Sequence, residues 1–222
     1  AYNPFSTLML DKVGLNTEAT RQIQEIMGSN LFDYSKPLSL IETLAEQVTS
    51  NDDIILDFFA GSSASAHAIL KLNAKDCIKR KFIQVQIPEE TDEKSEAYKS
   101  GYNNICEIGK ERIRRAAKKI KEETNADIDY GFRVYRLDSS NMQDVYYKPQ
   151  NYEQSNLDLF ADNVKSDRTA DDLLAQVMLD WGLPLSLKIE QVEVSGKKVF
   201  KVADNSLYAC FDSGIDEDFA KA

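Results

Sequence analysis

The stretch IILDFFAGSSASAHA, residues 54–68, decides the fold. Its first six residues are apolar except for Asp57, and charged residues precede it while Gly61 follows, which is typical of a short strand buried in a parallel sheet. A helix is expected to follow at once over residues 65–72, and the strand pattern returns at 82–87 until Pro88 stops it. This order predicts one strand–helix–strand crossover unit, in which ligands bind at the carboxyl ends of the strands.

Residues 57–63 have the features of a loop that holds a ligand. Gly61 lets the backbone approach a ligand closely, and the free amides at the start of the next helix can bind polar ligand atoms. The pattern alone leaves two interpretations open, a nucleotide or S-adenosylmethionine cradle and an ordinary tight turn. It excludes a phosphate loop, because no Gly-Lys-Ser/Thr follows, and the dinucleotide fingerprint, because only one glycine is present.

The pattern of apolar residues predicts further elements on both sides of this unit. A helix is expected over 18–27, ended by Gly28. A second is expected over 38–49, with Pro37 at its first turn and an apolar face formed by Leu40, Ile41, Leu44 and Val48. A third helix is expected over 102–123, and a strand over 131–137. Residues 146–167 are irregular and polar, which indicates a linker and a soft domain boundary. The tail predicts a helix at 170–181 and a small antiparallel sheet from strands at 187–194, 199–202 and 207–211.

Charge and composition limit the classes of function. With 37 acidic against 27 basic residues the net charge is −10, so the chain cannot grip nucleic acid over its whole surface, and any DNA contact is local or supplied elsewhere. No run reaches the roughly 18 apolar residues of a membrane span, which predicts no membrane partner and a cytoplasmic location. The three cysteines lie far apart without a CxxC pair, so small, partly buried side chains are expected and neither disulfides nor a zinc or other metal site.

Residues 57–68 resemble the S-adenosylmethionine motif of amino-methylating DNA methyltransferases, usually written DFFAGSGTTAHA in the Mod subunits of type III restriction-modification systems. Residues 35–41, here called the KP segment, are similar to the family's KP-x-x-LI block. Further blocks of similar sequence follow in the family's order at 72–73, 80–86, 101–102, 111–113, 178–184 and 207–212. The ordered blocks make the resemblance strong, where one glycine loop by itself would be weak.

The resemblance implies an α/β fold, a partial Rossmann-like S-adenosylmethionine-dependent methyltransferase with a small C-terminal α+β extension. Residues 1–145 would bind the cofactor, and residues 146–222 would form the extension, a possible dimerisation or partner-docking region. The candidate cofactor-binding residues are Lys36, Pro37, Leu38, Asp57, Phe58, Phe59, Ala60, Gly61, Ser62 and Gln86. The intact protein would act as a homodimer with the restriction (Res) subunit as partner, and would methylate adenine N6 in a short DNA site.

The sequence departs from the family pattern at the predicted cofactor site. Ser63 stands where the family usually has a second glycine, and Ala64 and Ser65 replace two threonines. A Cβ at residue 63 would narrow the cradle, and Gln86 stands where related enzymes place an acidic residue to accept the ribose hydroxyls. A rival interpretation therefore stays open: a degenerate, non-catalytic cofactor lobe that serves dimerisation or docks the restriction subunit.

The segment that would bind the target base is missing. Amino-methyltransferases need an Asp/Asn-Pro-Pro-Tyr/Phe motif to hold the flipped base, and none of the five prolines here is adjacent to another. In the family's order this motif precedes the KP segment. Together with the start at Ala1 instead of Met, its absence predicts a piece of a longer protein that is inactive alone and contains no catalytic residue.

Three other features have a simple and a functional interpretation. His67, the single histidine, is expected to be a packed or solvent-facing residue with no catalytic role. The basic stretch 110–121 is usually a solvated helix face, although in a DNA enzyme it could neutralise phosphates. Trp181, with Leu173, Leu174 and Val177, is most simply core of the C-terminal region, with an association surface as the alternative.

Overall fold

The computed structural model describes residues 13–143, 163–204 and 206–221. The chain divides into two compact units, Ala1–Val134 and Tyr135–Ala222. The boundary expected after residue 145, and most of the linker expected over 146–167, lie outside the described residues. The assignment of a separate function to each part stays a prediction.

The first unit contains the expected crossover. Its elements are α1 (Asn16–Met27), α2 (Leu38–Val48), β1 (Ile54–Asp57), α3 (Ala64–Asp76), β2 (Lys81–Gln84), α4 (Glu96–Lys99) and α5 (Ile105–Thr124). Strands β1 and β2 pair in parallel, with Asp57 opposite Gln84, and α3 connects them. The predicted strand–helix–strand unit is thus confirmed, whereas the short helix α4 was not expected.

The core of this unit lies between α1, α3 and α5. Its buried side chains include Ile23, Leu70, Ile108 and Ile113. Gly28 ends α1 with φ of 87°, as predicted, because a residue without a Cβ adopts the left-handed conformation at a helix end most easily. Pro37 is the N-cap of α2 and not a residue of its first turn.

The expected apolar face of α2 is partly wrong. Leu44 and Val48 are 44% and 75% exposed, and Leu38 and Ala45 are the residues of α2 that are buried. Ion pairs join α2 to α3 between Glu42 and Lys71 at 2.8 Å and between Glu46 and Lys75 at 2.6 Å. Leu38 and Ala45 make the buried contacts of α2 with α3, and Leu44 and Val48 lie outside these contacts.

The strand predicted over 131–137 is wrong as well. The structure has no strand there: Phe132 packs against α5, with the Arg114 guanidinium 5.7 Å from its ring centre, and Val134 and Leu137 are exposed. Alternating apolar residues form a strand only where a neighbouring strand accepts their backbone hydrogen bonds. No described strand lies alongside these residues.

Among the residues that the structure describes, none packs on one face of the two-stranded sheet. On the other face, Ile55 and Phe82 pack toward α2 and α3 with Ala45, Ile69 and Leu72. The uncovered side chains are apolar and exposed; they are Ile54, Leu56, Ile83 and Val85. Here they are called the open face.

The second unit is a helix with an antiparallel sheet, as predicted. Its elements are α6 (Ala170–Asp180), β3 (Ile189–Val194), β4 (Lys197–Val202), β5 (Leu207–Cys210) and α7 (Glu217–Lys221), with the strands in the order β3-β4-β5. Ser195 and Gly196 have φ of 49° and 76° and form a two-residue hairpin turn of the kind that suits twisted strands.

The core of the second unit excludes Trp181. Leu174, Met178, Phe200 and Val202 are buried together, whereas Trp181 follows the end of α6 and is 66% exposed. The expectation that Trp181 belongs to the core is therefore wrong. The chain turns at Gly182, with φ of 68°, directly after it.

Among the described residues, no helix combines the length and apolar character needed to cross a membrane.

Candidate functional site

The glycine loop, defined as residues 58–63, turns the chain from β1 into α3. The Ser63 amide donates to the Ala60 carbonyl at 2.7 Å and closes a tight turn. Gly61 has φ of +51°, and a Cβ at this position would lie 3.3 Å from Cζ of Phe32. The backbone conformation and the neighbouring ring therefore both favour glycine at this position.

Gln86 connects the glycine loop by hydrogen bonds to the segment that follows β2. Its Oε1 accepts a hydrogen bond from the Gly61 amide at 2.6 Å, and its Nε2 donates to the Ile87 carbonyl at 3.0 Å. The Ala60 amide also donates to the Val85 carbonyl at 3.2 Å. Oε1 of Gln86, which is expected to accept a hydrogen bond from a ribose hydroxyl, thus accepts one from an amide of the loop. The role of Gln86 toward a ligand stays a prediction.

Asp57, at the end of β1, is half-buried and bonded within the chain. Its Oδ1 accepts from the Phe59 amide at 3.2 Å, and its Oδ2 accepts from the hydroxyl of Ser65 on α3. The Ser65 oxygen also lies 3.0 Å from Oε1 of Gln84. Both carboxylate oxygens therefore have partners, and each oxygen keeps a further lone pair that can accept from a ligand.

The KP segment lies against the glycine loop. The Ser62 hydroxyl donates to Oγ of Ser35 at 3.2 Å, and Leu38 packs on Ala64 and Ala68 at the start of α3. Pro37 and Leu38 are buried, whereas Lys36 between Ser35 and Pro37 is exposed. Ser35 and Ser62, which are 27 positions apart in the sequence, are thus brought together.

The predicted cofactor residues divide by exposure. Lys36, Phe58 and Phe59 are exposed, and the rings of Phe58 and Phe59 lie 5.0 Å apart, centre to centre. Asp57, Gly61 and Gln86 are half-buried. The remaining residues, Pro37, Leu38, Ala60 and Ser62, are buried.

Helix α5 packs against the glycine loop. This contact was not predicted from the sequence. A Cβ on Gly109 would lie 2.6 Å from Oγ of Ser63, so the helix and the loop touch at this point. One turn further on, Nη1 of Arg112 donates to Oγ of Ser62 at 2.7 Å. The sequence holds a signal for this, because Arg112 falls at helical spacing between the apolar residues Ile108 and Ala116 on the buried face of α5.

His67 on α3 is buried, and its Nδ1 has no hydrogen-bond partner among the described residues. Burial, with Arg112 nearby, lowers the pKa of His67 from 6.5 to about 3. The imidazole is therefore neutral at physiological pH. The expectation of a packed residue is confirmed.

The basic stretch of α5 is largely paired with acidic side chains of the same helix. Arg115 lies 2.7 Å from Glu111, Lys110 lies 2.6 Å from Glu107, and Lys118 lies 3.9 Å from Glu122. Arg115 also donates to the Met27 carbonyl at 2.8 Å. These contacts favour a solvated helix face over a row of cations free to bind phosphates.

Two of the three cysteines are partly buried, as expected, but Cys77 is exposed. It ends α3 in the left-handed conformation, with φ of 60°, where the chain turns away from the helix. All three are free thiols.

Comparison with known proteins identifies the family. The profile of the family described as DNA methylase matches residues 11–122, about half of the chain. The chain is 39% identical over 134 residues to the Mod subunit of the type III restriction-modification enzyme StyLTI of Salmonella typhimurium, which covers 60% of the chain and 21% of that protein. It is 36% identical over 193 residues to the EcoP15I Mod subunit of Escherichia coli, with coverage of 86% and 28%.

A third relative is similar along nearly the whole chain. The EcoPI Mod subunit of Escherichia phage P1 is 33% identical over 217 residues, covering 91% of the chain and 33% of that protein. The chain thus spans between about a fifth and a third of the length of these curated relatives.

Proposed function

Because the chain belongs to the DNA methylase family, we propose that residues 1–145 are the cofactor-binding part of a type III Mod methyltransferase with a Rossmann-like fold. The cofactor is S-adenosylmethionine, and the whole protein transfers its methyl group to adenine N6 in a short DNA site. The observation that carries this proposal is the turn at the carboxyl end of β1, where the left-handed Gly61 packs against the Phe32 ring and the adjacent Ser62 is hydrogen-bonded to Ser35 of the KP segment.

The residues of the site suit the parts of this cofactor. The amides that begin α3 and the half-buried Asp57 offer donors and acceptors for the polar atoms of a methionine and a ribose. Phe58 and Phe59 offer exposed rings against which an adenine can stack. Methyl transfer from a sulfonium needs orientation and exclusion of water more than a strong base, which accords with the neutral state of His67.

The target base would be bound by another segment of the whole protein. These 222 residues contain no pair of adjacent prolines, so they cannot supply the Pro-Pro motif that holds a flipped adenine. Parallel sheets in α/β proteins have both faces covered, and we assign the open face to the part of the protein that carries this motif. The chain alone is therefore expected to bind cofactor without methylating DNA.

The second unit is proposed as the region for dimerisation or for docking of the restriction subunit. Trp181 and Leu179 are exposed at the end of α6, and exposed tryptophan is enriched in protein interfaces. We also propose that the whole protein contacts DNA and is located in the cytoplasm.

A second candidate is a degenerate lobe that binds no cofactor. The internal hydrogen bonds of Asp57 and Gln86 favour it, since each uses an oxygen that a ligand would otherwise occupy. Ser63, in place of the family's glycine, favours it as well. The two candidates differ in whether the chain binds S-adenosylmethionine.

Isothermal titration of the 222-residue chain with S-adenosylmethionine and S-adenosylhomocysteine separates these candidates. We expect saturable heat at one site for both ligands. Phe59→Ala should weaken binding about tenfold or more, the loss expected when one aromatic contact is removed from a ligand. Trp181→Ala, which also removes an exposed aromatic ring but in the second unit, is the matched control and should leave the affinity unchanged. Absence of heat with either ligand contradicts the proposal and supports the degenerate lobe.

A further inference from the structure

Arg112 of α5 is fully buried, with 0% of its surface exposed. Its Nη1 donates to Oγ of Ser35 at 2.9 Å and to Oγ of Ser62 at 2.7 Å, and the Ser62 carbonyl lies 3.4 Å away. Within the described ranges its Nε and Nη2 have no hydrogen-bond partner, and no acidic side chain pairs with the guanidinium. One nitrogen therefore makes all the hydrogen bonds of this side chain.

Packing alone does not account for an arginine at this position. Burial lowers the pKa of Arg112 to about 10, which still leaves it charged at neutral pH. A buried charge without a partner costs several kcal/mol, whereas an apolar side chain of similar size would pack there at no such cost. The residue therefore lowers the stability of the unit unless its contacts with the two serines are needed for something else.

The two serines belong to the two walls of the proposed cofactor site. Ser35 directly precedes Lys36 and Pro37 in the KP segment, and Ser62 directly follows Gly61 in the glycine loop. These segments are joined to each other by the hydrogen bond between the two serine hydroxyls. Arg112 is the third partner in that contact, and it is carried by the long helix beneath both segments.

We propose that Arg112 is a positioning residue for the cofactor, which holds the glycine loop and the KP segment at the fixed separation that S-adenosylmethionine requires. This inference rests on the proposed function. Arg112 itself is covered by the loop and touches no ligand, so it acts by preorganising the binding site. Its loss should weaken binding without removing any atom that contacts the cofactor.

Calorimetric titration of S-adenosylhomocysteine into the wild-type chain and its variants tests this role. Arg112→Met, which keeps the apolar stem and removes the donors, should raise the dissociation constant about tenfold, because binding would then have to order two segments that Arg112 otherwise holds in place. Arg112→Lys supplies a charged amine that can donate to both serines and should restore most of the affinity. A structural role alone would lower the fraction of folded protein, and hence the apparent stoichiometry, but not the affinity of the folded molecules.

A milder variant keeps the test decisive if Arg112→Met does not fold. Ser35→Ala removes one acceptor of Arg112 together with the hydrogen bond between Ser35 and Ser62, and it changes no residue of the glycine loop. It should also raise the dissociation constant with the stoichiometry unchanged. Ser100→Ala, which removes a serine hydroxyl of the same unit at an exposed position after α4, is the control and should bind as the wild type does. If wild type binds but neither Arg112→Met nor Ser35→Ala changes the affinity, Arg112 has no positioning role. If the wild type itself shows no heat, the proposed function fails first.

Discussion

His67 shows how a single side chain can be conspicuous in a sequence and have no chemical role. It is the one histidine of the chain and lies within the motif, yet it is buried on α3 with a pKa of about 3. The nearby Arg112 guanidinium opposes a second positive charge. The imidazole therefore contributes to packing in its neutral form.

Because of this low pKa, His67 should make the stability of the chain depend on pH. The unfolded chain takes up a proton near pH 6.5 and the folded chain only near pH 3, so stability falls as the pH drops through this interval and is constant above it. Between pH 7 and pH 5 the free energy of unfolding should fall by about 2 kcal/mol from this residue. Urea unfolding of His67→Gln at both pH values should show a loss smaller by that amount; an equal loss in wild type and variant would contradict the assignment.

The sequence predicts which residues belong to the site but not which residues they contact. The motif identifies Asp57, Gly61 and Ser62, because glycine and polar residues between a strand and a helix are recognisable locally. That Gln86 bonds the loop, and that Arg112 reaches Ser35, depends on segments 25 and 77 residues apart in the sequence. Such pairings follow from the packing of α5 and cannot be read from spacing within one element.

At the scale of elements, α5 and the glycine loop fit together through two small residues. Gly109 gives the helix a surface without a Cβ, and Ser63 fills that space with its hydroxyl. Ser63 adopts a left-handed conformation, with φ of 56° and ψ of 42°, which is unfavourable for a residue with a side chain. The substitution of the family's usual glycine is therefore accommodated at a cost in backbone energy.

Gly109→Ala should have opposite effects with and without the Ser63 side chain. In the wild type the new methyl group meets Oγ of Ser63 at 2.6 Å, and the overpacking should destabilise the chain by about 1–3 kcal/mol. In a Ser63→Gly background the nearest atom is the Gly61 carbonyl at 3.4 Å, so the higher helix propensity of alanine should make the same change neutral or stabilising by up to about 1 kcal/mol. A double-mutant cycle from chemical unfolding measures this coupling, and additive effects would show that helix and loop do not touch here.

Helices and turns that are marked by their own residues were predicted well. Elements whose conformation depends on contacts with other segments were not. Gly28 and Gly182 mark the ends of α1 and α6, and the hairpin at Ser195 and Gly196 follows from its turn residues. Residues 131–137 alternate like a strand but have no described strand beside them. The apolar pattern of α2 likewise does not reveal that Leu38, Ile41 and Ala45 are the residues that pack against α3.

At the scale of the whole molecule, the open face is the feature that needs a partner. Exposed apolar side chains on two adjacent strands form the kind of patch that proteins usually cover. In the described part of the chain, each of these strands also has an edge without a neighbouring strand, which favours pairing with a further strand. The proposal that another part of the methyltransferase covers this face implies that the 222-residue chain alone exposes it.

Ile83→Lys should therefore reduce self-association of the isolated chain. The side chain is exposed on the open face, so the free energy of unfolding should change by less than about 0.5 kcal/mol, while a charge in the patch opposes apolar contact between copies. Light scattering over a range of concentrations should show association of the wild type that is lost in this variant. Ser100→Lys, which adds the same charge at an exposed position away from the sheet, should associate as the wild type does. An unchanged association of Ile83→Lys would exclude the open face as its cause.

The central claim, that the glycine loop binds S-adenosylmethionine, is tested most directly by nuclear magnetic resonance of the ¹⁵N-labelled chain. Titration with S-adenosylhomocysteine should produce saturable shifts of the backbone amides from Asp57 to Ser65 and of Gln86, while amides of β3, β4 and β5 keep their positions. Spectra that do not change at any ligand concentration, or saturable shifts confined to the second unit, would contradict it.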